Sequence, residues 1–155
     1  MELPSYRLDT DETLAFEHQE LARILDYWHM KRGTRALPAR ADLDPLEMQE
    51  HLGWIVLTDV IGTPARFQYR LIGTEITRRV GRDSTGLPLD EVYPAEHYDA
   101  VVAPLRWVIE NRRPLRTMGR LWFADRDWHS FEAVHLPLSK DGATIDMILV
   151  RTVIF

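Results

Sequence analysis

The sequence predicts one α+β domain built on an antiparallel sheet. Three observations carry that prediction: a β-hairpin pattern over 54–72, one long helical period over 95–111, and three strand-like runs that close the chain. A length of 155 residues suits one compact domain, and 45% hydrophobic content is enough to build its core.

The first ten or so residues mix Pro4, charges and small polar groups without period, which predicts a flexible tail over 1–13. From Leu14 onward Leu14, Leu21, Leu25 and Trp28 fall at helical spacing. Glu17, Gln19, Glu20, Arg23 and Asp26 occupy the other faces, and Gly33 supplies a C-terminal stop, so an amphipathic helix is expected there. Asp44 followed by Pro45 and Glu47 has the form of an N-cap, a first-turn proline and an acidic first turn. That predicts a short helix to about His51 and a helical segment over 14–51, forming one domain with a core over 52–155.

Trp54 to Val60 is β-branched and apolar, Gly62, Thr63 and Pro64 make a turn, and Arg66 to Ile72 alternates Phe67, Tyr69 and Leu71 against Gln68 and Arg70. This is the hairpin. Gly73, Gly81, Gly86, Pro88 and Pro94 then punctuate segments long enough only for one-turn or two-turn helices, such as Glu75 to Val80. The long helix places Val101, Val102, Leu105, Val108 and Ile109 on its inner face. Pro104 lies inside it, so a kink or a late start is expected. The runs 115–123, 129–138 and 144–155 are strand-like, with turns at Asp125–Asp127 and Lys140–Gly142. In the last strand Ile145, Met147, Leu149 and Val153 alternate with Ile148, Val150 and Ile154, so both of its faces are apolar and both need cover. The amphipathic N-terminal helix, from the same chain or a partner, is the apolar stripe left to supply the second cover.

A formal net charge of −5 offers no long-range attraction to phosphate backbones or anionic membranes, so neither nucleic acid nor membrane is an expected partner. With no cysteine there are no disulfides, thiolate nucleophiles or cysteine metal ligands, and a cytoplasmic location is the default expectation. Asp9, Asp11, Glu12 and Glu17 interrupt any secretory signal, and apolar runs such as 147–150 are too short to span a bilayer.

A cover helix, a hairpin, several short helices, one long helix and three more strands is the order of PAS domains, and several strings bring the resemblance closer. These are Leu25, Asp26, Tyr27, Trp28; then Pro38, Arg40, Asp42, Leu43, Asp44, Pro45; then FQYRLIGT over 67–74; then Gly81, Thr85 and Gly86. Over roughly 20–152 the chain resembles a divergent bacterial family of short PAS-like proteins, the fifth of the numbered PAS families. The resemblance implies a five-stranded antiparallel sheet with helices on one face; with the apolar pattern of the last strand, the N-terminal helix is expected to cover the other or to mediate dimerisation. It also implies a sensory or regulatory role with no agreed ligand.

Five residues are candidates for lining a ligand site: Tyr69, Arg70, Trp107, Trp122 and His135. Tyr69 and Arg70 share the second hairpin strand, where one of them would point between sheet and long helix. An arginine there could grip a carboxylate or phosphate; otherwise Arg70 is solvated or pairs with an acid while Tyr69 is core. Trp107, Trp122 and Trp128 could floor a flat-ligand pocket or anchor core and interface. His129 and His135 share a face but lie about 20 Å apart along an extended strand, too far to share a metal. His18, His29, His51 and His97 form no close pair with ligand spacing, so no metal is expected.

His97 is the one histidine near the long helix that could serve as a haem ligand; as a helix-surface or capping-region residue it needs no cofactor. A cysteinyl flavin is excluded by composition, and the cofactor is left open. Ser5, Ser84, Ser130 and Ser139 lack nucleophile-elbow glycines, and Gly73, Gly81 and Gly86 do not have dinucleotide-fingerprint spacing. The expectation is a non-catalytic sensor that binds a small molecule in the sheet–helix cleft and signals through a protein partner or a homodimer. The alternatives are a cone-shaped isomerase or hydratase, and a ligand-free interaction module.

Overall fold

The computed structural model describes residues 7–122 and 128–155, so the expected turn at Asp125–Asp127 lies outside the described residues. In chain order the elements are β1 (Arg7–Asp11), α1 (Gln19–Arg32), three single-turn 3-10 helices between 40 and 54, β2 (Ile55–Ile61) and β3 (Arg66–Ile72). Then come α2 (Thr74–Val80), α3 (Leu89–Val92), α4 (Ala95–Asn111), β4 (Leu115–Trp122), β5 (Trp128–Leu138) and β6 (Met147–Ile154). The hairpin, the long helix and the three closing strands stand where their sequence periods place them.

The described strands form one antiparallel sheet of six, in the order β1-β4-β5-β6-β2-β3. The expected count of five is corrected by β1, which runs along β4 from Arg7↔Arg120 to Asp11↔Arg116. Its sequence, RLDTD, lacks the alternating apolar pattern of a buried strand, which is why it resembles a tail. As an edge strand it is held by its backbone ladder and by Asp11, whose carboxylate pairs with Arg116 at 3.1 Å. At the opposite edge the main chain of β3 bonds to a loop, Tyr69 N to the Leu87 oxygen and Gly86 N to the Tyr69 oxygen, which blunts that edge against further pairing.

Helix α1 starts at Gln19, not Leu14. The preceding backbone is turned instead: Leu14 adopts a φ of 59°, and the N–H groups of Thr13 and Ala15 donate to Asp11. The short helix expected after Asp44 is a single 3-10 turn, Pro45–Glu47, with Asp44 accepting from Leu46 N as the cap. Backbone bonds from Met48 N to the Pro45 oxygen and from His51 N to the Met48 oxygen keep the chain turning every third residue. Helix α4 runs unbroken through Pro104, with no late start. Pro104 has no N–H to return to the Ala100 carbonyl, so the helix carries one missing internal bond at that level.

Cross-strand register sorts the side chains into two faces. Thr117, Ala133 and Thr152 are aligned across β4, β5 and β6, as are Leu115, His135 and Val150. Ala133, His135, Thr117, Val150 and Thr152 meet Ala100, Val101 and Pro104 of α4, so this is the inner face. Glu132, Val134, Leu136 and Leu138 lie on the outer face. Helix α1 packs against β5 and β6, and its Glu17 and His18 entry is bonded to Glu132. Leu21, Ile24 and Trp28 are its buried side chains, so Ile24 rather than Leu25 completes the apolar stripe. Trp28 Nε1 donates to the Pro137 carbonyl at 2.9 Å. Among the described residues, no helix is long and apolar enough to cross a membrane.

Candidate functional site

Strands β4, β5 and β6 present a largely apolar inner surface, as period-2 alternation under a covering helix requires. Between that surface and α4 lies a cavity of about 150 Å3 lined by Leu8, Tyr93, Ala100, Val101, Pro104, Thr117, Leu121, Phe131, Ala133, His135, Val150 and Thr152. Besides the hydroxyls of Tyr93 and Thr152, two polar atoms break the apolar lining. Thr117 Oγ1 and His135 Nδ1 are both buried and have no hydrogen-bond partner among the described residues. Thr117 stands opposite Ala133, two residues from His135, and such diagonal neighbours are about 7–8 Å apart. One small molecule can therefore touch both.

Leaving a buried polar atom unbonded costs about 1–3 kcal/mol, so two in one small space are a signal that something is meant to meet them. The imidazole of His135 is pushed down to about 4 by burial, which makes it neutral near pH 7. The pair therefore offers neutral hydrogen-bonding groups, a hydroxyl and an imidazole nitrogen. It suits an uncharged polar ligand better than an ion. At about 150 Å3 the space is also below the 300–1,000 Å3 of pockets for drug-sized ligands, and on the order of five waters would fill it.

Of the sequence candidates, the structure brings His135 into the cavity. Tyr69 lies beside it: its hydroxyl is 2.6 Å from that of Tyr93, a lining residue, so it supports one wall. Arg70 is elsewhere. The β2–β3 register shifts between Leu57 and Thr58, which leaves Arg70 as the extra residue of a β-bulge. Its exposed side chain pairs with Asp59 at 2.9 Å, the solvated, acid-paired alternative. Trp107 is half-buried on α4 outside the lining, with the Arg113 guanidinium 5.1 Å from its ring. Trp122 ends β4 opposite Trp128, and its side chain lies outside the described residues. His97 is buried at the start of α4, not on the helix surface, and is not part of the lining.

Thr117, Tyr93, Phe131 and Thr152 are among the lining residues that sequence reasoning missed. The available signal was faint: Thr117 is a polar residue in the same alternating register as Leu115 and Leu121. Among the described residues, no three His, Asp or Glu side chains gather where they could hold a metal ion.

The outer face of β5 carries a contrasting arrangement. Glu132 is 1% exposed and accepts from Glu17 N, His18 N and His18 Nδ1 at 2.9 Å and from Arg116 Nε at 2.6 Å. Desolvation opposes its charge, but the backbone donors, Arg116 and His18 together outweigh that and hold its carboxyl below the usual value. Nearby, buried Arg151 donates from Nε to His51 Nδ1 at 3.1 Å. His51 Nε2 in turn lies 3.2 Å from Glu50, which Arg23 grips with two nitrogens. Since Nδ1 accepts, the proton of neutral His51 sits on Nε2, facing Glu50.

A sheet with an inner helix, two short helices before it and this strand order defines the PAS fold. The PAS domain family model matches residues 16–150, and the chain belongs to that family, the fifth of the numbered PAS families. PAS domains are typically non-catalytic sensory modules. The fold is shared with solved structures at low identity. An RNA-binding light-oxygen-voltage receptor superposes over 98% of this chain with a TM-score of 0.55 and 14% identity; the chain spans 39% of that receptor's length. A Rhodobacter sphaeroides LOV protein superposes over 73% of this chain and 69% of its own, with a TM-score of 0.51 and 13% identity. No curated protein matches the chain in sequence. The chain has no cysteine, so a cysteinyl flavin adduct is not available to it.

Proposed function

We propose that this protein is a non-catalytic sensory PAS-type domain that binds a small, uncharged, polar ligand between the sheet and α4. The observation that carries the reading is the pair of unpartnered buried atoms, Thr117 Oγ1 and His135 Nδ1, facing one cavity. A ligand bridging them would satisfy both while its apolar part lies against Phe131 and Val150.

The signal leaves through a protein partner or a second copy of the chain. What supports this route is the construction of β5. Ala133 and His135 face the ligand cavity, while Glu132, between them and Phe131, anchors the entry to α1 on the other side. A shift of β5 on ligand binding would reach α1 through one residue. To carry information, the ligand must bind one arrangement of these elements better than the other.

Native mass spectrometry of freshly purified protein tests the reading. The expected result is a small-molecule adduct on the wild-type chain that is lost in a folded Thr117→Val, His135→Leu double variant. A wild-type chain that carries no adduct and gains none from a library of small neutral metabolites would overturn it.

A further inference from the structure

A cavity larger than the one under α4 lies on the other side of the sheet. It measures about 350 Å3, within the range of small-molecule sites. Its floor is the outer face of the sheet, where Ile55, Leu57 and Leu149 are buried. Register fixes that assignment, since Leu57 pairs with Leu149 and Leu149 with the outer-face Leu136. The opposite wall is the segment between α1 and β2, through buried Leu43 and Met48. At the rim Leu52 and Leu71 are 38% and 39% exposed, large apolar side chains left in contact with water.

One cation borders this apolar space. Arg40 is half-buried and donates from one nitrogen to the Leu43 carbonyl at 3.3 Å. Among the described residues no carboxylate lies within ion-pair distance of it, whereas Arg23, Arg35, Arg66, Arg70 and Arg116 each have one. A guanidinium with a free edge, set against buried leucines, complements a ligand with an anionic head and an apolar tail.

We propose that this outer cavity is a second binding site and that it takes an anionic amphiphile, a monocarboxylate with a medium-length alkyl chain. The carboxylate pairs with Arg40, and the chain lies over Leu57 and Leu149 beneath Leu43 and Met48. An occupied cavity fastens the segment between α1 and β2 onto the sheet, so binding also stabilises that segment by mass action. The inner cavity plays no part in this proposal, and either site stands without the other.

The test is methyl and amide NMR of the full chain, titrated with octanoate below its micellar concentration and, separately, with octanol. The expected result is saturable shifts at the methyls of Met48, Leu57 and Leu149, with those of Ala133 and Val150 unmoved. Arg40→Gln should weaken octanoate about tenfold and leave octanol unchanged, because the lost interaction is the charge-assisted pair. Arg40→Lys should restore part of the octanoate affinity. The proposal is overturned if octanoate gives no saturable shift, if the shifts fall on the inner face, or if Arg40→Gln changes octanol as much as octanoate.

Discussion

The two faces of β5 handle polar groups in opposite ways. On the outer face Glu132 is more deeply buried than His135, yet its carboxylate has four donors and its charge is retained. On the inner face, within three residues, His135 Nδ1 has none among the described residues, and Thr117 Oγ1 beside it has none either. Depth of burial does not separate the two; satisfaction does. A buried charge that is fully bonded holds elements together, as Glu132 of β5 does for β4 and the entry to α1. A buried polar atom left unbonded stabilises nothing by itself and marks a place where a further molecule fits.

The contrast is broken most severely at Glu132. Glu132→Ala leaves Arg116 half-paired in a buried setting and strips the acceptor from the Glu17 and His18 N–H groups. Removing one member of a buried pair costs about 3–5 kcal/mol, and urea denaturation should show a loss of that size.

A second test uses acid. His135 binds its proton less readily in the folded chain than its ordinary 6.5, down to about 4. The unfolded chain therefore holds the extra proton between those values. The stability gained from a neutral imidazole is complete above about pH 6.5 and is lost as pH falls towards 4, by about 3 kcal/mol across the window. His51 is also lowered, by burial first and Arg151 second, and contributes with the same sign. The informative quantity is thus the difference between wild type and His135→Leu in urea midpoints across that window. The variant should have the flatter profile.

The smallest effect is expected at Thr117, and its sign is the informative part. Thr117→Val replaces an unbonded hydroxyl by a methyl of similar shape, so ligand-free protein should gain about 1 kcal/mol, read by thermal or urea unfolding. Losing stability would mean that the hydroxyl is bonded in the ligand-free protein.

Much of the fold was legible because its signals are local. The hairpin over 55–72 and helix α4 follow from apolar periods of two and of 3.6 that their own residues carry. Strand β1 was not legible, since an edge strand of mixed polar residues needs no apolar period and is defined by its pairing with β4. Glu132 was equally invisible as an anchor: its partners Glu17 and His18 are 115 and 114 residues away in the chain. In the candidate site, His135 stood out by residue type in an apolar strand. Arg70 was misplaced as a possible lining residue because a β-bulge sets its direction, and a bulge is a property of two strands in register. Thr117 was missed because a single threonine in a strand is common; only its missing partner makes it informative.

The most direct test of the inner cavity as a ligand site is a high-resolution crystal structure of protein purified without denaturation. The account predicts non-protein density between α4 and the sheet, with atoms about 2.7–3.2 Å from both Thr117 Oγ1 and His135 Nδ1. A cavity closed by its own side chains, with both atoms bonded to protein groups, would contradict it.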